Sequence, residues 1–149
     1  MMRALDALRA AAAVAWELPQ TTLGVLVLGH HLARGRVRRV DLESGRIVGE
    51  LDVPGAISLG HVVLWTPDDN DYVPVGEENR AHELGHAVQS RRLGPLYLLA
   101  VGVPSTARVA YALAHKRLTG RRWAHYYDGW PERSADQLGR VDTARRPAP

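Results

Sequence analysis

The sequence predicts an α+β domain: a small antiparallel sheet, a helix bearing two histidines packed against it, and further helices around them. Three observations predict this. Residues 36–65 fall into short β-branched runs separated by turn signals at Glu43–Gly45 and Pro54–Gly55. Stretches with helical periodicity flank that region on both sides. Finally, 149 residues, 46% of them hydrophobic, are enough for one buried core and too few for two.

Each element follows in chain order. Ala4–Trp16 is alanine-rich, carries Leu5, Leu8 and Val14, and reads as a helix that Pro19 interrupts. Thr22–Leu32 reads as a second, apolar helix. Arg36–Asp41, Arg46–Asp52 and Ala56–Trp65 read as about three strands. Of these, Ile57–Trp65 is the longest and most apolar, and it is the candidate edge for pairing with an extended peptide. Thr66–Gly76 is an acidic loop. Glu77–Leu93 returns to helical periodicity and stops at Gly94–Pro95. Leu96–Gly102 is ambiguous by pattern. Ser105–Leu118 reads as a helix with Ser105 as its cap, and Thr119–Gly129 as a loop holding aromatics and His125. Pro131–Leu138 reads as a short helix with proline in its first turn and Gly139 at its end. Residues 1–142 thus form one expected domain, and 143–149 an expected disordered tail.

Composition narrows the chemistry. The chain has no cysteine, which excludes disulfides, a thiolate nucleophile, iron–sulfur ligation and cysteine-based zinc knuckles. It has seven histidines, so a metal held by imidazole and carboxylate stays open. The net charge of +3 is unevenly spread: acids dominate residues 66–83 and bases dominate 115–149. The bases are scattered and no nucleic-acid motif accompanies them, so no nucleic-acid partner is expected. The N-terminal stretch is broken by Asp6 and Arg9, unlike a signal peptide, and no segment offers about 20 clean apolar residues for a span. A cytoplasmic protein is expected. The apolar run Leu96–Val103, with Trp and Tyr nearby, leaves peripheral membrane association open beside its reading as core.

The chemistry centres on His82-Glu83-Leu84-Gly85-His86. On a helix, residues four apart share one face, so both imidazoles can reach one metal ion, and Glu83 next to the first can face an attacking water. This is the HExxH arrangement of zinc metallopeptidases. Gly85 is costly inside a helix, by about 1 kcal/mol against alanine, which implies close approach by another element. A catalytic zinc needs a third protein ligand. The metzincin positions are occupied by Gln89 and Arg92, which excludes that class. The residues alone leave His115, His125, Asp128, Glu132 and Asp136 as candidates.

The segment Pro131-Glu132-Arg133-Ser134-Ala135-Asp136 resembles the third-ligand motif of gluzincins, including membrane metallopeptidases related to the CAAX prenyl protease. The resemblance implies that Glu132 is the third ligand and that Asp136, one turn later, orients His82 or His86. The runs His82–Ser90, Leu93–Leu98 and Gly102–Ser105 are similar to a group of small bacterial proteins with HEYGHxxQS, LGPLYL and IGxPS motifs, segments also found at the ends of some Rhs-type toxins. Leu84 stands where that group has tyrosine. The similarity covers most of the chain, is dense over 79–139, and implies a minimal zincin-like fold without supplying a substrate.

The expected activity is zinc-dependent hydrolysis of peptide bonds in a peptide or protein substrate, with Glu83 as general base. His125, Tyr126 or Tyr127, shortly before Glu132, would stabilise the oxyanion; His125 and Tyr127 are the named candidates. Two alternatives are a non-catalytic protein stapled by zinc and a toxin-type protease domain. The oligomeric state is not legible.

Overall fold

The computed structural model describes Asp6 and residues 11–146. Residues 11–16 are helical; the rest of the expected Ala4–Trp16 helix, apart from Asp6, lies outside the described residues. The elements that follow are α1 (Leu18–Ala33), β1 (Val37–Glu43), β2 (Arg46–Leu51), β3 (Ile57–Leu59), β4 (Val62–Trp65), α2 (Asn79–Leu93), α3 (Val103–Thr119) and α4 (Glu132–Gly139). Pro19 does not break α1 but sits in its first turn, where its missing N–H costs nothing. The architecture is α+β, as expected.

The sheet corrects the expectation in two respects. Ile57–Trp65 is not one strand but a hairpin, β3 and β4, turned at Gly60, whose φ of +61° favours glycine. The order is β1-β2-β4-β3, so β4 lies inside the sheet and pairs with β2 in parallel. The sheet is therefore mixed rather than antiparallel. All four residues of β4 are buried, and its unbroken run Val62-Val63-Leu64-Trp65 is what a strand covered on both faces requires.

Helices cover both faces. Leu28 of α1 packs with Leu51, Val62 and Leu64 on one side. Ala87 of α2 packs with Val48, Val63 and Trp65 on the other. Beyond the β3 edge, a 3₁₀ turn (Gly94–Leu96) and a π-helical turn (Leu98–Gly102) resolve the ambiguous segment, and Tyr97 and Val101 close over Leu59.

One buried polar knot pins α2 to the sheet. The Glu17 carboxylate accepts hydrogen bonds from Ser90 Oγ (2.7 Å) and Arg91 Nε (2.9 Å), with buried Arg46 beside it. Arg46 donates to the carbonyls of Gly60 and Ala87, joining the β3–β4 turn to α2. A fully buried carboxylate is tolerable only with such partners.

The acidic loop is ordered by its own side chains. Asp69 Oδ1 accepts from the N–H groups of Asn70 and Val75, and Asn70 Oδ1 from those of Tyr72 and Val73. Val73 and Val75 are thereby buried against Ala112 and Tyr126. Ser105 does not cap α3, which starts earlier, at Val103. Within the expected disordered tail, Thr143–Arg145 instead form a 3₁₀ turn, after which Arg146 reaches Asp136; 147–149 lie outside the described residues. No helix among the described residues is long and apolar enough to cross a membrane.

Candidate metal centre

Helix α2 inverts the usual pattern of a surface helix. It is buried between the sheet and α4, yet its hidden positions include Asn79, His82, Glu83, His86, Gln89 and Ser90. Buried polar side chains need partners, and α4 supplies them. The two helices touch through glycines. A Cβ on Gly85 would lie 1.9 Å from the Ala135 carbonyl oxygen, and one on Gly139 would lie 2.0 Å from that of Ala81. The costly glycine of the motif therefore marks the close approach that its position implied.

That crossing brings Glu132 onto the histidine pair. His82 Nε2 and His86 Nε2 lie 3.0 and 3.1 Å from the same oxygen, Glu132 Oε2. Among the described residues these three form the group whose ligand atoms converge closely enough to hold a metal ion, and all three are buried. The opposite ring nitrogens are occupied: His82 Nδ1 is 2.7 Å from Asp136 Oδ1, and His86 Nδ1 is 2.7 Å from Gln89 Oε1. Both acceptors hold a proton on Nδ1, which leaves the Nε2 lone pairs aimed at the centre. Gln89 is fixed in turn, its Nε2 donating to the Pro131 carbonyl (3.0 Å).

These donors fit a divalent metal ion. Two neutral imidazoles that present lone pairs to a carboxylate oxygen repel it, and either added protons or one cation relieves the conflict. Without the cation, protons fill the role. Burial alone would depress His82, but the hydrogen bonds it makes to Asp136 and Glu132 outweigh it and push its pKa up to about 9. Burial raises Glu132, but the two imidazoles more than reverse this and hold it well below the carboxylate range. Glu132 Oε1 is also buried without a hydrogen-bond partner. A metal ion would satisfy it.

Glu83 lies beside this triad in the wall of the same cavity. It is not drawn into the His–Glu contacts, and its Oε2 is buried without a partner. Burial raises its pKa, against the opposing pull of His86 and His82.

The remaining expected residues separate. Asp136 sits where the resemblance implied, on His82, and is clamped from behind by both terminal nitrogens of Arg146. His125 is not at the centre: its side chain is 73% exposed and pairs with Asp128. The loop that carries it turns outward, because Arg108 draws in the carbonyls of His125 and Tyr126 instead. Tyr127 packs edge-on against His82, 5.3 Å between ring centres, but its hydroxyl donates to the Pro74 carbonyl at 3.0 Å. The guanidinium of Arg146 lies over the face of the Tyr127 ring, 3.3 Å from its centre. Neither residue offers a free donor to the cavity. His115 stacks on Tyr111, and His61 bonds to Thr21 on the α1 side of the sheet, away from the cleft.

Tyr126 and Tyr97 do line the cavity. Tyr97 donates to the Ser58 carbonyl at 2.7 Å, which occupies part of the β3 edge and limits the strand pairing expected there. Gln89, Tyr97 and Arg146 escaped the sequence reading. The seven-residue spacing from His82 to Gln89 places the latter on the histidine face and was the one available signal. Compared with family models, curated proteins and solved structures, the chain finds no match.

Proposed function

We propose that the chain is a zinc-dependent hydrolase of peptide bonds. One observation carries the reading: two buried Nε2 atoms and a buried glutamate converge on one point, and a second buried carboxylate, unpartnered, stands beside them in a cavity. An all-nitrogen and oxygen set of two His and one Glu suits zinc, and three protein ligands leave a coordination position for chemistry. The resemblance of Glu132–Asp136 to the gluzincin motif supports the same reading.

His82, His86 and Glu132 would hold the ion, which when bound acidifies water and polarises a carbonyl oxygen. Glu83 takes the proton of the attacking water and passes it to the departing amine. Its raised pKa suits both duties, since a base poised nearer neutrality is also a competent acid. Asp136 and Gln89 fix the imidazole tautomers and their aim. Tyr126, which lines the cavity, donates to the developing oxyanion in place of His125 and Tyr127. Burial pushes its pKa up, so it remains a protonated donor.

The deciding experiment replaces Glu83 with glutamine. Glu83→Gln should keep one zinc per chain and lose peptide hydrolysis by at least about 100-fold, the low end of general-base contributions. A wild-type chain at full zinc occupancy that cleaves no peptide of a broad library would overturn the reading in favour of a zinc staple.

A further inference from the structure

We propose that the cavity beside the His82–His86–Glu132 centre selects an uninterrupted apolar stretch of polypeptide and cuts it internally, away from either chain end. This inference rests on the hydrolase reading and names the substrate class of the same site.

The cavity is about 570 Å³, room for more than one large side chain. Its polar lining consists of the triad, Glu83, Ser58, Ser105, Thr106 and the two tyrosines Tyr97 and Tyr126. The rest is walled by Leu59 of β3, Leu98, Val101 and Val103 of the π-turn and the start of α3, and Ala107 and Ala110 of α3. Of the tyrosines in the wall, Tyr97 has its hydroxyl engaged with the Ser58 carbonyl, and Tyr126 is the one assigned to the oxyanion. Among the described residues no lysine, arginine or aspartate lines the cavity, and the carboxylates that do are Glu83 and Glu132. The described lining thus offers no lysine or arginine to pair with a substrate's terminal carboxylate. A terminal ammonium would find only the two glutamates already committed to the centre. A charged substrate side chain placed against this wall would be buried without a partner, which disfavours its binding.

The apolar surface does not stop at the mouth. Val103, which lines the cavity, is itself 59% exposed, and Leu99, one turn before it, is 70% exposed. Trp130 anchors its indole N–H on the Ala100 carbonyl (2.8 Å) and leaves its ring half exposed beside the same turn. At the opposite wall Ile57 of β3 is 40% exposed. A substrate with one apolar residue would need only the cavity; this rim adds apolar surface for its neighbours on the chain. Hydrolysis then adds water across an internal C–N bond, hydroxyl to the acyl carbon and proton to the amine, with no charged terminus to recognise.

Gly102 gives a test that spares the centre. It lines the cavity with an ordinary helical backbone (φ −57°), and a Cβ built on it meets nothing nearer than 3.9 Å. Zinc-loaded Glu83→Gln is titrated with fluorescent dodecapeptides blocked at both ends, bearing either a Leu/Val core or the same core interrupted by one lysine or aspartate. Wild type is assayed for cleavage of the same peptides, and Gly102→Phe is added to both proteins. The apolar peptide should bind at least tenfold tighter than the interrupted ones and be cut within its core. Gly102→Phe should lose that preference while keeping zinc stoichiometry and unfolding temperature. Equal binding of charged cores, a requirement for a free terminus, or an unchanged preference in folded, zinc-loaded Gly102→Phe would overturn the proposal. Efficient cleavage of charged cores would overturn it while leaving the hydrolase reading intact. Selective binding without cleavage by wild type would uphold the selectivity and sink the hydrolysis.

Discussion

Each imidazole of the pair is governed by its far nitrogen. Asp136 holds Nδ1 of His82 and Gln89 holds Nδ1 of His86, so both rings enter the centre with a fixed tautomer. Asp136→Ala should therefore weaken zinc binding by about 10–100-fold with Glu132 and both histidines still present. Competition against a chromophoric chelator measures this, and a loss below twofold would show that Asp136 does not orient the ring. The same residues set a pH dependence. In the metal-free chain the carboxylates push His82 up to about 9, so it is protonated throughout the neutral range. Zinc needs the neutral ring and must displace that proton. Apparent zinc affinity should thus rise by about tenfold per pH unit from 7 toward 9 and level off above it. In the metal-free chain the sign for folding is opposite: a raised histidine pKa stabilises below its unfolded value near 6.5, and that stabilisation is lost as pH climbs through about 9. Calorimetric titration in buffers of different ionisation heat counts the released proton; release of none at pH 7 would refute the coupling.

At the scale of elements, the α2–α4 crossing decides whether a centre exists. Gly85 and Gly139 let the two backbones meet, and Glu132 arrives at the histidines only because they do. Gly85→Ala should improve helix propensity by about 1 kcal/mol. It should nonetheless destabilise the chain by a net 1–3 kcal/mol or so, because its methyl cannot share space with the Ala135 carbonyl. Gly29→Ala on α1 is the control: among the described residues nothing lies within 4 Å of the added carbon, and a gain of up to about 1 kcal/mol is expected. Denaturant unfolding of both variants checks the pair. This contrast also marks where the sequence was readable. Helical periodicity located α2, the four-residue spacing put both histidines on one face, and the misplaced glycine announced a neighbour. The helix Pro131–Leu138 was legible for the same local reason, whereas Glu132 and Asp136 were singled out by the resemblance to the gluzincin motif. The sheet was not, because pairing is non-local. Gly60 falls inside what the pattern gave as one apolar strand but is a hairpin turn, and the parallel union of β2 with β4 follows only from where the chain returns. His125 failed on similar grounds: nearness in sequence to Glu132 says nothing about the direction its loop takes, which Arg108 sets from another helix.

At the scale of the whole molecule, chain ends far apart in sequence hold α2 and α4 from behind. Glu17 receives Ser90 and Arg91 near the N-terminal side, and Arg146 clasps Asp136 near the C-terminal side. Composition alone assigns 143–149 to a tail, being rich in Arg and Pro. What overrides that assignment is a carboxylate left half-satisfied by His82 and a tyrosine face 3.3 Å from the guanidinium. Arg146 and Asp136 are each only about a tenth exposed, so their pairing carries more weight than a surface ion pair. Arg146→Ala leaves Asp136 buried with one partner and should cost about 3 kcal/mol, the low end for breaking a buried pair. It should also lower zinc affinity, since an unclamped Asp136 can turn from His82. Arg146→Lys restores the charge but not the two-pronged contact and should recover only part of both losses. Thermal unfolding and chelator competition on the two variants and on a chain ending at Asp142 separate the roles. A truncated chain with unchanged zinc affinity would confine Arg146 to stability, whereas a parallel fall in both would make the C-terminal turn part of the metal centre.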